Sequence, residues 1–271
     1  MDKFYTKIFM VEKCLRTFEM FYRWIDFDLI IEPSAGNGNF LLKIPSDKKI
    51  GIDIEPEHKD IIKQDFLTYV LPTTYLDKNI LIIGNPPFGR VSSLAVKFFN
   101  HAANFANVIA FIVPRTFRRI SVQNKLNLYF HLINDEDVPL SPCAFSPPMN
   151  AKCCFQIWER KATERNIEIL INSHNDWDFI DLGPKDENGQ PTPPNNADFV
   201  IRAYGSNCGE IITTNLNTLR PKSYHWIKSN IDKQILIERF QSLDYSISIN
   251  TARQNSIGRG ELVKLYINKF N

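Results

Sequence analysis

The stretch ILIIGNPPFGRVSS, Ile80 to Ser93, sets an asparagine, two prolines and a phenylalanine directly after a run with the character of a buried strand. An amine attached to an aromatic ring is a poor nucleophile, because its lone pair is delocalised into the ring. The side-chain oxygen of Asn85 and the main-chain carbonyl of Pro86 can both accept hydrogen bonds from such an amine, favouring a tetrahedral nitrogen with a localised pair. Pro86 and Pro87 lock the backbone that presents the carbonyl and add no competing donor. Phe88 supplies a π-face on which a flat heterocycle can stack. The competing reading is a rigid turn after a strand, with Phe88 a core residue.

A second set of residues precedes this one. DLIIEP runs into SAGNGNF, so that Glu32, Ser34, Gly36 and Gly38 follow a first strand. Glycines there let the backbone turn sharply and approach a ligand closely. Asp53, about 17 positions past Gly36, can accept hydrogen bonds from ribose hydroxyls. The ligand implied is a nucleoside, although GxG also occurs in ordinary tight turns. The full dinucleotide fingerprint is not met, because Leu41 stands where its third glycine would fall.

The elements that must position these residues can be read from periodicity. Ile8, Val11, Leu15, Phe18 and Tyr22 predict an amphipathic helix over 8–24. DLIIE, KIGIDI, NILIIG and NVIAFIV are short β-branched runs expected as strands buried on both faces, and KCCFQIWER as a late strand of the same sheet. SSLAVKFFNHAANFA reads as a helix, with Ser92 or Ser93 as its cap. Strand, helix, strand points to an α/β fold: a parallel sheet with helices on both faces. The polar, proline-rich 182–198 is expected as a long loop. A boundary near Arg165 separates a first domain, 1–165, from a smaller C-terminal α+β module, 166–271.

Composition narrows the classes. Hydrophobic content of 44% and charged content of 23% are those of a globular chain. No apolar run is long enough to span a membrane and the first ten residues lack a signal-peptide core, so a soluble, intracellular protein of the cytoplasm, nucleoid or nucleus is expected. Five cysteines without a CxxC suggest neither disulfides nor a zinc site, and the five histidines show no metal-ligand spacing, so no metal is expected. The net charge is only +2, but no acid occurs from Lys78 to Asn134. Arg115, Arg118 and Arg119 in that stretch are expected to contact substrate phosphates. Asp135 to Asp137 is expected as a polar loop between strands.

EPSAGNGNF resembles the E-P-x-x-G-x-G-x-F signature of class I S-adenosylmethionine-dependent methyltransferases. GIDIEP resembles their ribose-binding segment, and KQDFLTY the segment that holds the cofactor adenine. With NPPF, the motif order most closely resembles the gamma class of N6-adenine DNA methyltransferases, including the methyltransferase parts of type IIG restriction enzymes. The resemblance covers roughly residues 3–160, and the C-terminal region resembles only loosely the family's target-recognition parts.

What the resemblance implies is a Rossmann-like class I methyltransferase sheet and S-adenosyl-L-methionine as cofactor, with S-adenosyl-L-homocysteine as product. The cofactor-binding residues would be Tyr5, Thr6, Glu32, Ser34, Gly36, Gly38, Asp53, Ile54, Asp65, Phe66 and Asn85. Asn85, Pro86, Pro87 and Phe88 would be catalytic, with Phe88 and Phe145 stacking on the two faces of the target base. The partner implied is nucleic acid, DNA ahead of RNA, as the substrate of an adenine-N6 methyltransferase; a further subunit or an oligomer stays open. RNA N6-adenosine methylation, glutamine methylation in protein and an inactive cofactor-fold binding module are the alternatives. No nuclease-type carboxylate cluster is present, so cleavage would need another protein.

Overall fold

The computed structural model describes residues 3–270 and divides into two units at Ile167/Glu168. In chain order the first unit contains β1 (Tyr5–Thr6), α1 (Ile8–Glu19), β2 (Leu29–Glu32), β3 (Lys49–Asp53), β4 (Ile61–Lys63) and β5 (Ile80–Gly84). There follow α2 (Ser93–Ala102), β6 (Val108–Pro114), α3 (Ile120–Gln123), β7 (Phe130–Asp137), β8 (Phe145–Ser146) and β9 (Cys153–Arg160). One seven-stranded sheet has the order β4-β3-β2-β5-β6-β9-β7. Its strands are parallel except β9, which runs antiparallel between β6 and β7. This is a Rossmann-like sheet, mostly parallel.

The β-branched runs become strands because both of their faces are covered. Ile31, Ile82, Ile109 and Phe111 pack with Phe98 and Phe99 of α2. Their neighbours Ile30, Leu81, Ile83, Ala110 and Ile112 pack on the other side with Met10, Val11, Leu15 and Phe18 of α1. The alternation is that of a pleated strand, and each such buried side chain contributes about 1.5–3 kcal/mol. Truncating Ile82, which is fully buried, to alanine would cost about 2–5 kcal/mol.

Three local expectations are corrected. The first helix stops at Glu19, because Tyr22 and Trp24 fold back onto Phe18, with ring centroids 5.3 and 4.7 Å away. Ser92 stands at the N-cap of α2 but its hydroxyl does not cap; the amides of Leu94 and Ala95 donate to the carbonyl of Phe88 instead. Asp135 to Asp137 is no loop: it is the end of β7, paired in register with Cys154 to Gln156 of β9.

The second unit contains β10 (Trp177–Phe179), β11 (Phe199–Arg202), β12 (Ile211–Ile212), β13 (Tyr224–Ser229), α4 (Lys233–Gln241) and α5 (Arg259–Phe270). Its sheet, ordered β10-β13-β11-β12, is antiparallel throughout. Trp177, Phe199, Ile201 and Ile227 share one core with Leu236 and Phe240 of α4 and Leu262 and Tyr266 of α5. Among the described residues, no helix is long and apolar enough to cross a membrane.

Candidate active site

The direction of travel across the sheet reverses between β2 and β5, and a crevice opens beyond the carboxyl ends of the strands at such a point. Both motifs converge there. The Ser34 hydroxyl, just past β2, donates to the main-chain carbonyl of Asn85, just past β5, at 2.9 Å. From the other side of β2, Asp53 at the end of β3 accepts from the Gly36 amide at 2.8 Å and from the Glu55 amide at 2.8 Å. Each carboxylate oxygen keeps a further lone pair.

Gly36 and Gly38 have φ of +51° and +84°. A Cβ on Gly36 would lie 2.7 Å from the Tyr5 ring, so the close approach as well as the conformation requires glycine. Glu32 is buried and accepts from the Leu41 amide at 2.7 Å. Burial pushes its carboxyl well above the usual range, an effect the Leu41 hydrogen bond only partly opposes.

Asn85 is oriented by its amide nitrogen, which donates to the Phe4 carbonyl at 3.4 Å. Its side-chain oxygen is buried without a partner, as is the Thr6 hydroxyl. Both line a small cleft of ≈ 30 Å³ that Tyr5, Glu32, Ser34 and Asn39 also line. A buried acceptor left unpaired costs about 1–3 kcal/mol, so these two atoms mark a place where a donor is missing. The Pro86 carbonyl also accepts no hydrogen bond among the described residues.

A strap formed by Lys3 to Thr6 closes the cleft. The Tyr5 hydroxyl donates to Glu57, Lys3 pairs with Glu55 and Glu57 at 3.2 Å each, and the Asn39 amide holds the Thr6 carbonyl at 2.8 Å. Beyond Phe88 the backbone enters the left-handed region at Gly89 (+68°), Val91 (+50°) and Ser92 (+61°). The Ser92 and Thr116 hydroxyls share a hydrogen bond of 2.5 Å that ties this loop to the one after β6.

Several expected site residues take other places. Phe145 is 2% exposed in the core beneath α1, paired in β8 opposite Thr6, and its faces are closed to a base. Phe66 is 1% exposed, its ring 5.4 Å from Phe98 and 5.0 Å from His101. Asp65 is exposed beside it and accepts from the Leu67 amide at 2.9 Å. Ile54 is 59% exposed at the end of β3. Phe88 is half-buried, packed against the α1 side of the core.

Two of the three arginines have carboxylate partners. Arg118 forks onto Asp135 with bonds of 2.9 and 2.6 Å and also reaches Asp137, while Arg115 pairs with Asp137 at 2.8 Å. Two cations of the acid-free stretch thus pair with the carboxylates that follow it in sequence, and these two guanidinium groups are already committed. Arg119 stands half-buried before α3. Sequence reasoning missed the Phe4 carbonyl, Asn39 and Glu57. Main-chain anchors carry no residue-type signal, but the two asparagines interleaved with Gly36 and Gly38 were visible.

No family model matches the chain, and no curated protein matches its sequence. Among solved structures, the 23S rRNA methyltransferase ErmE is similar at 14% identity and a TM-score of 0.42, over 59% of this chain and 71% of that one. A Listeria monocytogenes protein proposed to be a class I S-adenosylmethionine-dependent methyltransferase is similar at 15% identity and 0.42, over 59% and 61%. A Thermoplasma acidophilum protein matches at 16% identity and 0.41, over 58% and 89%. The sheet topology itself, rather than these distant likenesses, carries the assignment of a Rossmann-like α/β fold.

Proposed function

We propose that the chain is an S-adenosylmethionine-dependent methyltransferase acting on the exocyclic amine of adenine in nucleic acid, with DNA as the first substrate to test. The observation that carries this reading is the buried, unpaired side-chain oxygen of Asn85, set at the switch point of the sheet beside a glycine-lined loop. The residues fit the cofactor. Positive-φ Gly36 and Gly38 admit close backbone approach, Asp53 offers remaining lone pairs to ribose hydroxyls, and the Thr6 hydroxyl lacks a partner. A cleft of ≈ 30 Å³ is smaller than the roughly 300 Å³ at which small-molecule sites begin, so in this reading a nucleoside enters only with displacement of the strap that carries Tyr5.

The cofactor, when bound, supplies an electrophilic methyl group on a sulfonium. The chain's part is to localise the nitrogen lone pair: Asn85 Oδ1 and the Pro86 carbonyl accept the two amine hydrogens, and Phe88 packs on the base. Phe145 and Phe66 support from within the core. Arg90, exposed on the loop after Phe88 and without an ion pair among the described residues, is the cation placed to meet a phosphate in this reading. The C-terminal unit, in the same reading, recognises the substrate.

The test is methyl transfer from labelled S-adenosylmethionine to matched duplex DNA, single-stranded DNA and RNA, with Asn85→Ala as control. Incorporation at adenine N6 that Asn85→Ala abolishes is the expected result. Transfer to RNA alone would move the substrate to RNA. Transfer to a glutamine-containing protein, with none to adenine, would overturn the reading.

A further inference from the structure

A cavity of about 490 Å³ lies in the second unit, within the range of about 300–1,000 Å³ that small-molecule sites occupy. Three stretches of chain build it, the first carrying Asp181, Gly183 and Pro184. The second carries Thr192, Pro193, Pro194, Asn195 and Asn196, and the third Asn217. The first two are stitched together: the Gly183 amide donates to the Thr192 carbonyl at 2.8 Å, and the Thr192 amide and hydroxyl donate to the Pro184 carbonyl at 3.0 and 2.9 Å. Prolines fix φ on either side. Asn217 sits in a turn held by the Thr218 amide and hydroxyl, which donate to the Asn215 carbonyl at 3.1 and 2.8 Å. The walls are therefore preorganised.

The chemistry of the lining excludes several ligands. No lysine or arginine lines the cavity, so it lacks the cations that mark phosphate sites. Its one carboxylate, Asp181, pairs with Arg259 at 3.2 Å, and one carboxylate is too few for a calcium-type site. The side-chain amides of Asn195, Asn196 and Asn217 have no partner among the described residues. A wholly apolar ligand would leave all three unpaired at a cost. Each amide presents donors and an acceptor side by side, the pattern with which asparagine pairs bidentately with a base edge. Pro193 and Pro194 add apolar surface for a flat ring.

We propose that this cavity binds an unpaired nucleobase of the substrate strand, at a position other than the methylated one. The proposal deepens the nucleic-acid reading of the first unit and rests on it for its purpose, but its test does not use methyl transfer. The full chain, labelled with ¹⁵N-asparagine, is titrated with adenosine, guanosine, cytidine and uridine, with a short single-stranded oligonucleotide, and with an asparagine-containing peptide. Saturable shifts of the Asn195, Asn196 and Asn217 side-chain amides with at least one nucleoside and with the oligonucleotide are expected.

The double variant Asn195→Ala/Asn217→Ala should weaken that binding about tenfold or more. Asn217→Asp, which keeps the shape and removes the donors, should change which nucleoside is preferred. Amide signals unmoved by every nucleoside and by the oligonucleotide would overturn the proposal, as would shifts with the peptide alone or unaltered binding in both variants. Nucleoside binding here without methyl transfer at Asn85 would leave this site standing and remove the methyltransferase reading; methyl transfer with silent amides would do the reverse.

Discussion

Asn85 is held at its main-chain carbonyl by Ser34 and at its amide nitrogen by Phe4, while its side-chain oxygen is buried without a partner. Asn85→Ala is therefore expected to leave cofactor affinity nearly intact while lowering turnover about 10²-fold or more, the scale of one lost preorganised hydrogen bond in a transition state. Single-turnover rates beside calorimetric affinities check this, and an equal loss in both would reassign Asn85 to cofactor binding. Asp53 differs, because it stitches the loop through the Gly36 and Glu55 amides. Asp53→Ala should weaken S-adenosylmethionine binding by about 1–3 kcal/mol, and unchanged affinity in the same titration would reject that role. That Asp53 and the glycine loop belong to one site was legible from spacing, but the Gly36 amide's bond to Asp53 was not. Phe145 and Phe66 were not. An aromatic residue type is shared by stacking faces and by cores, and only packing against α1 or Phe98 decides between them.

At the scale of elements, β7 carries the main lesson. The acid-free run from Lys78 to Asn134 suggests three substrate-facing arginines only while the chain is linear. Folding sets β7 beside β9, and Asp135 and Asp137 then meet Arg118 and Arg115 from the loop after β6. The Gln156 amide extends the network from Asp135, and the Trp158 indole donates in turn to Gln156. The strands themselves were legible because buried parallel strands need continuous β-branched runs. The strand character of NDED was hidden by charges whose partners lie elsewhere. With both side chains of the Arg118–Asp135 pair about one-fifth exposed, Arg118→Ala leaves Asp135 with only the Gln156 amide among the described residues and should destabilise the first unit by about 3 kcal/mol. It should leave the salt dependence of nucleic-acid binding unchanged, whereas Arg90→Ala should flatten the log–log slope by roughly 0.7–0.9. Denaturant melts and binding isotherms over a salt series separate the two. A flattened slope for Arg118→Ala, with stability intact, would restore that residue as a phosphate ligand.

At the scale of the whole molecule, the two units have separate cores and contain ionisable groups that lean in opposite directions with pH. Glu32, buried in the first unit, has its carboxyl raised well above 4.5 chiefly by desolvation. Its folded form therefore holds a proton that the unfolded chain has lost, so its contribution to stability is full below about pH 4.5 and declines as pH rises through the folded value. His225, in β13, is lowered from 6.5 chiefly by burial, against a bond to the Ile257 carbonyl. The unfolded chain takes up a proton near pH 6.5 that the folded unit refuses, so this contribution is full above that pH and is lost as pH falls towards the folded value. Hydrogen exchange by mass spectrometry resolves the two units as separate sets of peptides. Protection in 168–270 should fall from pH 7 to pH 5.5 relative to protection in 3–167 once intrinsic rates are corrected, and His225→Gln should remove most of that difference. Glu32→Gln keeps a side-chain acceptor for the Leu41 amide and should raise protection in the first unit alone, more at pH 8 than at pH 5. One shared pH profile for both units, unaltered by either substitution, would mean that the chain unfolds as a single body and that neither group is held away from its ordinary titration.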